Sequence, residues 1–142
     1  MAIVYFDSSA FVKLLVEEDG TDLVAQLWDG CDAALSSRLA YPEVRAALAA
    51  AHRNHTLEAN GLEAALQLWK EFWSATRPVE LRPDVERHAG ELAQLHSLRG
   101  ADAVHLASAL TVPKMELIVA VWDKRLHAGA RAEGLATAPA TI

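Results

Sequence analysis

Short apolar runs alternate along the chain with longer segments in which apolar residues recur every three or four positions. Short runs bounded by turn-forming residues are typical of strands in a packed sheet. Four segments are predicted to be strands on this basis: AIVYF, DAALSS, VELRP and ELIVAVWD. The closing segment LATAPATI is predicted to be either a fifth short strand or a tail.

The segments between these runs carry apolar residues at the spacing of amphipathic helices. Helices are predicted in AFVKLLVEEDG, which closes at Gly20, and in TDLVAQLWDG, with Thr21 or Asp22 as its N-cap. Further helices are predicted from about Leu39 through LAYPEVRAALAAAHRN, after Thr56 to about Thr76, and in DVERHAGELAQLHSLRG, GADAVHLASAL and KRLHAGARAEGL. The chain therefore alternates strands with helices.

This alternation predicts a parallel sheet, because parallel strands need long crossover connections. Strands that are apolar on both faces predict that helices cover both sides of the sheet. The predicted fold class is therefore α/β, a three-layer α/β/α domain with a central parallel sheet. The chain has 142 residues without repeats or linkers, so residues 1–142 are expected to form one domain.

Composition narrows the possible functions. The formal charge of −6 argues against a protein that binds nucleic acid through a broad basic face. Cys31 is the only cysteine, which excludes an internal disulfide and favours a small buried or half-buried side chain. No apolar run of about 18 residues could span a bilayer, and no basic segment precedes the first apolar run. We expect a soluble, cytoplasmic protein without membrane contact.

Four acidic residues are candidates for chemistry. Asp7 follows the first predicted strand and Asp123 the fourth, so both are expected at the carboxyl edge of the sheet, where such folds bind ligands. Glu43 lies early in the helix after the second strand, and Asp102 lies in the first turn of GADAVHLASAL. Taken singly, Asp7 and Asp102 could be helix caps, Glu43 could be favoured by the helix dipole, and Asp123 could form a turn.

All four acids are embedded in apolar sequence, which indicates partly buried sites: VYFDSSAFV, AYPEVRAAL, GADAVHLA and VAVWDKRL. Carboxylates gathered at low dielectric repel one another, and a divalent cation would offset their charge. An all-oxygen set of ligands suits Mg²⁺ or Mn²⁺, which can lower the pKa of an attacking water and stabilise charge on a phosphoryl group. Helix geometry alone does not place Asp102 beside the other acids.

Four segments of the chain together resemble, in order and spacing, the acidic motifs of a known family: YFDSSAFVKLL, YPEVRAAL, LRGADAVHLASAL and VWDKRLHAGARAEGL. The family is the PIN domain, and specifically the VapC toxins of bacterial toxin–antitoxin pairs. The resemblance implies a compact α/β/α fold and a Mg²⁺- or Mn²⁺-dependent endoribonuclease site with one or two ions.

The resemblance also implies roles for individual residues. Asp7 and Asp102 match the principal metal ligands, while Glu43 and Asp123 complete the cluster directly or through water. Ser8 and Ser9 match the small hydroxyl residues after the first acid, as helix cap and as hydrogen-bond donors behind the ligands. The implied reaction is hydrolysis of an RNA phosphodiester by a metal-activated water attacking in line, with the 3′ oxygen leaving.

The partners implied by the resemblance are RNA as substrate, a cognate VapB-like antitoxin whose helix lies in a hydrophobic groove, and a second copy of the chain in a homodimer. DNA contact is expected only through the antitoxin. An apolar stripe is expected to belong to the core or to an intramolecular groove or, less simply, to a partner surface; it consists of Leu62, Leu66, Trp69 and Trp73, with Phe72 beside it.

Basic residues and one histidine near the motifs are secondary candidates. Substrate contacts must come from scattered basic residues near the acids in sequence: Lys13, Arg38, Arg45, Arg99, Lys124 and Arg125. His105 lies three residues after Asp102 and so on the same helical face, as a ligand, a general base or, more simply, a half-buried histidine bonded to a neighbour.

Two other functional classes also place acids at strand ends. A receiver-like or flavodoxin-like regulatory domain would have its phosphoacceptor aspartate after a middle strand and a lysine late in the chain, but no lysine follows Lys124. A haloacid-dehalogenase-type phosphatase would need a second aspartate two residues after Asp7, where Ser9 stands. A third reading is an interaction protein whose acids only cap helices.

Overall fold

A five-stranded sheet lies at the centre of the protein. The computed structural model describes residues 2–142, and Met1 lies outside the described residues. The strands are β1 (Ile3–Phe6), β2 (Ala33–Ser37), β3 (Arg77–Val79), β4 (Leu117–Ala120) and β5 (Ala136–Ala138). All neighbouring strands are parallel, in the order β3-β2-β1-β4-β5. The predicted α/β class with a central parallel sheet is confirmed, and LATAPATI supplies the fifth strand.

Seven α-helices connect these strands within residues 2–142. They are α1 (Ser8–Leu15), α2 (Thr21–Gly30), α3 (Ala40–Arg53), α4 (Ala59–Ser74), α5 (Pro83–His96), α6 (Gly100–Ala109) and α7 (Lys124–Ala132). Among these described helices, none is long and apolar enough to cross a membrane.

Helices cover both faces of the sheet, as predicted from strands that are apolar on both sides. Successive residues of a strand point to opposite faces. Val4 and Phe6 of β1 are buried with α1 to α4, whereas Tyr5 is buried with α5, α6 and α7. The three layers therefore contain two apolar cores, one on each side of the central strand β1.

The core beneath α1 to α4 is rich in aromatic side chains. Trp69 of α4 is buried, and its ring lies 4.8 Å from that of Phe11 in an edge-on arrangement. The rest of the predicted apolar stripe is partly buried and packs against this core: Leu62, Leu66, Phe72 and Trp73. The expectation that the stripe belongs to the core is confirmed for Trp69 and largely holds for its neighbours.

The third strand lies two residues earlier than predicted. VELRP predicts a strand over 79–83, but β3 covers Arg77–Val79, with Arg77 paired to Leu35. Pro78 is compatible with this position because β3 is an edge strand. Pro83 instead begins α5, where the missing N–H of proline costs no hydrogen bond because the first N–H groups of a helix have no partner within it.

The first helix ends earlier than predicted. α1 stops at Leu15 rather than near Gly20, because the residues beyond it fold back on Lys13. The Lys13 Nζ donates to Glu18 Oε1 at 3.1 Å and to the Asp19 carbonyl oxygen at 2.7 Å. The prediction that Thr21 or Asp22 caps α2 is also wrong, since Gly20, with φ of +94°, is the residue before the helix.

Replacing Gly20 is expected to destabilise the fold. A positive φ costs an L-residue about 1–2 kcal/mol, and a Cβ at Gly20 would lie 2.9 Å from the Trp122 ring. Urea unfolding followed by tryptophan fluorescence should therefore give a lower free energy of unfolding for Gly20→Ala. The matched control is Gly90→Ala on the exposed side of α5, where a Cβ meets no atom within 4 Å. That variant should gain about 0.5–1 kcal/mol, and equal effects at the two sites would contradict this account.

Candidate active site

The carboxyl ends of β1 and β4 form a cleft in the middle of the sheet. The chain leaves β1 toward the face covered by α1 to α4, and it leaves β4 toward the face covered by α7. Ligands bind in open α/β sheets at such a switch point. The Asp7 N–H donates to the Ala120 carbonyl oxygen at 3.2 Å, which joins the two strand ends. Asp7 and Asp123 therefore lie at the same edge of the sheet.

Asp7 and Asp123 are each the N-cap of the helix that follows them. Oδ1 of Asp7 accepts from the Ala10 N–H at 3.0 Å and from the Ser9 hydroxyl at 2.6 Å. Oδ1 of Asp123 accepts from the Leu126 N–H at 2.9 Å. Within residues 2–142 these hydrogen bonds use Oδ1 of both carboxyls, which leaves Oδ2 of each for other contacts. The cap of α1 is thus Asp7, and the implied capping role of Ser8 or Ser9 is wrong.

Ser8 and Ser9 instead hydrogen-bond to the acids. Ser9 Oγ, besides donating to Asp7, accepts from the Trp122 N–H at 3.1 Å, so it connects the segments after β1 and β4. Ser8 Oγ donates to Glu43 Oε1 at 2.6 Å. Both hydroxyls therefore lie behind the carboxylates and fix their orientation.

Glu43 is held by a buried histidine. His105 Nε2 lies 2.6 Å from Glu43 Oε1, and His105 Nδ1 lies 2.7 Å from the Tyr5 hydroxyl. A carboxylate only accepts, so Nε2 carries the proton that it donates to Glu43. Burial, and then the charge of Asp7, raises the pKa of Tyr5 well above its usual value. The phenol therefore keeps its proton, and its hydroxyl forms a hydrogen bond with His105 Nδ1.

Arg99 brings Asp102 and Asp123 together. Its Nε lies 3.4 Å from Asp102 Oδ2, and its guanidinium nitrogen NH2 lies 3.5 Å from Asp123 Oδ2. The Arg99 side chain is 68% exposed, whereas that of Asp102 is only 14% exposed. The cleft therefore has an internal cation, carried on a side chain that is free to move into solvent.

Burial and mutual repulsion shape the electrostatics of the cluster. Burial raises the pKa of Asp7 to about 6, against the opposing influence of His105 and with a further contribution from Asp123. Burial and the charge of Asp123 also raise the pKa of Asp102, with Arg99 opposing. At Glu43, burial is outweighed by the hydrogen bond and charge of His105, so that its pKa lies below the usual range. Asp123 thus lies close enough to repel both Asp7 and Asp102.

These donors fit a hard divalent cation by their chemistry, since the cleft collects carboxylate oxygens. Their positions do not form a finished site, because among residues 2–142 no three His, Cys, Asp or Glu side chains are arranged to hold a metal ion. The guanidinium of Arg99 lies between Asp102 and Asp123 and supplies a positive charge to both carboxyls.

Sequence reasoning identifies only part of what Arg99, Tyr5 and His105 contribute to the cleft. It names Arg99 only as a possible substrate contact and Tyr5 only as a strand residue. Its simpler interpretation of His105, a histidine bonded to a neighbour, is confirmed, but the partners are not predicted. The three-residue spacings from Arg99 to Asp102 and from Asp102 to His105 were the available signal, since residues so spaced share a helical face. The pairing of His105 with Glu43 joins residues 62 positions apart and has no local signal. Cys31 is half-buried and free, as expected.

Comparison with known proteins agrees with the fold and the motifs. The family model described as PIN domain matches residues 4–121. Ribonuclease VapC45 of Mycobacterium tuberculosis strain CDC 1551 / Oshkosh is 66% identical over 142 residues, covering 100% of this chain and 99% of that protein. Ribonuclease VapC49 of Mycobacterium tuberculosis strain ATCC 25618 / H37Rv shows the same identity and coverage.

Solved structures share the fold at low sequence identity. FitAcB from Neisseria gonorrhoeae matches with a TM-score of 0.68 at 17% identity, covering 94% of this chain and 95% of that one. VapBC2 from Rickettsia felis, bound to a DNA fragment from their promoter, matches with a TM-score of 0.63 at 11% identity, covering 95% and 96%. A toxin–antitoxin complex from Klebsiella pneumoniae matches with a TM-score of 0.61 at 19% identity, covering 91% and 92%.

The receiver-like and flavodoxin-like alternative is not supported. Those folds have the strand order 2-1-3-4-5, whereas this sheet has the order β3-β2-β1-β4-β5. The family match covers the strands and helices that carry all four acids except Asp123, which lies two residues beyond it, and the relatives cover the whole chain. The chain therefore belongs to the PIN-domain family, in its VapC group.

Proposed function

We propose that the protein is a Mg²⁺- or Mn²⁺-dependent endoribonuclease that acts as the toxin of a VapBC-type pair. The observation that carries the proposal is the convergence of Asp7, Asp102 and Asp123 on one cleft, in a chain 66% identical over its full length to proteins named Ribonuclease VapC. Endonucleolytic hydrolysis, metal dependence and the roles of individual residues are parts of this proposal.

The acids of the cleft would hold one or two ions. Asp7 and Asp102 are the principal ligands in this scheme, with Asp123 and Glu43 beside them. The bound ion would lower the pKa of the attacking water and offset the charge that develops on the phosphoryl group. Ser9 orients Asp7, while Ser8 and His105 orient Glu43. These hydrogen bonds hold the carboxylates before RNA arrives, so that less reorganisation is needed during the reaction.

The same cleft supports a proposal for the partners of the protein. Arg99 shows that a guanidinium fits between Asp102 and Asp123. A basic side chain of a VapB-like antitoxin could occupy the same anionic cleft, while an antitoxin helix lies in an apolar groove. We further propose a cytoplasmic homodimer that contacts DNA only through the antitoxin.

Replacing the acids tests the proposed site. Asp7→Asn and Asp102→Asn are each expected to slow RNA cleavage about 100-fold or more, because the charge that holds the ion is lost. Both variants should also lose the thermal stabilisation that Mn²⁺ gives the original protein. Asp22→Asn, an exposed acid in the first turn of α2, is the matched control and should behave as the original. Undiminished cleavage in excess chelator would rule out the metal.

Arg99 is expected to compete with the metal. Arg99→Gln removes the internal cation from Asp102 and Asp123, so Mn²⁺ should bind up to about fivefold more tightly, as expected for loss of an exposed ion pair. Isothermal titration calorimetry measures this directly. The matched control is Arg38→Gln, which breaks an exposed pair with Glu80 at 2.6 Å outside the cleft. Weaker Mn²⁺ binding by Arg99→Gln than by Arg38→Gln would contradict the competition.

The buried charge of Asp7 predicts a pH-dependent stability. The pKa of Asp7 is raised from 3.8 to about 6, so the folded state favours the protonated carboxyl and loses stability as pH rises through this window. In chelator, Asp7→Asn should therefore be more stable than the original at pH 7.5, by at most about 3 kcal/mol. Asparagine also caps helices well.

Thermal unfolding between about pH 4 and pH 7.5 measures the difference in stability between Asp7→Asn and the original protein. This is about the range in which the Asp7 carboxyl titrates. The gain of Asp7→Asn should shrink toward zero as pH falls to the unfolded-state pKa. Asp22→Asn serves again as the exposed control. A variant less stable than the original throughout this range would show that the charge of Asp7 is satisfied within the fold.

A further inference from the structure

We infer that the RNA strand on one side of the cleaved phosphodiester lies in a groove between the end of α5 and α7, with Arg125 and Lys124 contacting its phosphates. This inference rests on the proposed ribonuclease function and assigns the site that positions the substrate. The α5–α7 groove has a volume of about 570 Å³ and is lined by His96, Ser97, Arg125, Ala128, Gly129 and Ala132.

The structure separates free cations from engaged ones among the basic residues near the acidic motifs. The Lys13 Nζ is paired with Glu18, and Arg38 is paired with Glu80. Arg45 lies over the ring of Tyr41 and donates to its hydroxyl at 3.2 Å.

Arg99 occupies the acidic cleft itself. Lys124 and Arg125 are exposed, and neither forms an ion pair with any residue in the described range 2–142. Of the six candidates, these two are therefore the ones that form neither an ion pair nor a side-chain contact of the kind that Arg45 makes with Tyr41.

Lys124 and Arg125 lie next to a residue of the acidic cleft in the chain. Lys124 and Arg125 directly follow Asp123 in the first turn of α7. On the opposite side of the groove, Ser97 lies two residues before Arg99, whose guanidinium reaches Asp102 and Asp123. Each wall of the groove thus has a residue within two positions of a cleft residue, Ser97 before Arg99 and Arg125 after Asp123, so a strand cleaved in the cleft can continue into the groove.

The shape and charge of the groove suit a polyanion. Ala128, Gly129 and Ala132 present no long side chain to it, and its six lining residues include no carboxylate. The nearby Glu133 carboxylate accepts from His96 Nε2 at 2.7 Å, so its charge is engaged by a groove residue. Packing also favours glycine at position 129, since a Cβ there would lie 3.3 Å from the Leu98 side chain.

Local helix energetics give no reason for two cations at this position. The N-terminal turn of a helix carries partial positive charge, so lysine and arginine are unfavourable there. Lys124 and Arg125 are the first two residues of α7, which has no acid in its first turn. A pair of residues that opposes a local preference is expected at functional sites. Phosphate recognition supplies the compensating interaction.

The test compares the double variant Lys124→Gln/Arg125→Gln with a control of equal charge change, Lys70→Gln/Arg87→Gln. Lys70 on α4 and Arg87 on α5 are exposed and lie outside the groove. Each pair is also placed in an Asp7→Asn background, and binding of a short fluorescent single-stranded RNA is measured over a range of salt concentrations. Cleavage of the same RNA is measured in the Asp7-containing proteins.

The groove variant is expected to bind the RNA about tenfold more weakly, with a salt slope reduced by about 1.4 for two lost phosphate contacts. Its KM should rise while kcat changes little, and its thermal stability should equal or exceed that of the original. The control variant should lose little affinity. Equal binding by the groove and control variants would overturn the inference and leave the proposed function intact.

Two further outcomes are decisive. If the groove variant bound RNA normally but lost affinity for a protein partner, the groove would be a protein-binding surface and the inference would be wrong. If the unaltered protein neither bound nor cleaved RNA, the proposed ribonuclease function would fail and the inference with it.

Discussion

The buried carboxylate of Asp7 is the constraint around which the cleft is built. Asp7 directly follows the central strand β1 and caps α1. The chain therefore passes from the sheet into its first helix through a buried acid. One oxygen is satisfied by Ser9 and the Ala10 N–H, yet burial still raises its pKa to about 6. In the proposed scheme a cation offsets the remaining charge, together with that of the neighbouring acids.

Capping a helix and taking part in the proposed chemistry are therefore compatible roles for the same acid. Asp7 and Asp123 cap helices through Oδ1, which fixes each carboxyl at the switch point and directs Oδ2 to other partners. Glu43 is fixed instead by Ser8 and His105, from different elements on opposite faces of the sheet. The caps and the hydrogen bonds between layers thus fix the carboxyls of Asp7, Glu43 and Asp123 within the fold.

Local sequence predicted the elements better than the contacts between them. The alternation of short apolar runs with segments of helical spacing was sufficient to predict the parallel sheet and the edge on which Asp7 and Asp123 lie. It failed at β3, where the register with β2 decides the strand, and at α1, where Lys13 draws Glu18 and Asp19 out of the helix. The link of Tyr5, His105 and Glu43 joins three elements distant in sequence, so no local pattern could show it.

An acidic protein that acts on RNA must resolve an electrostatic conflict. The net charge of −6 and the carboxylates of the cleft repel a polyanion at long range. In the proposed scheme the ion reverses the sign of the cleft, and Lys124 and Arg125 provide a short basic segment beside it. In the same scheme the net negative charge weakens RNA binding elsewhere on the surface and favours strands that reach the groove and the ion together.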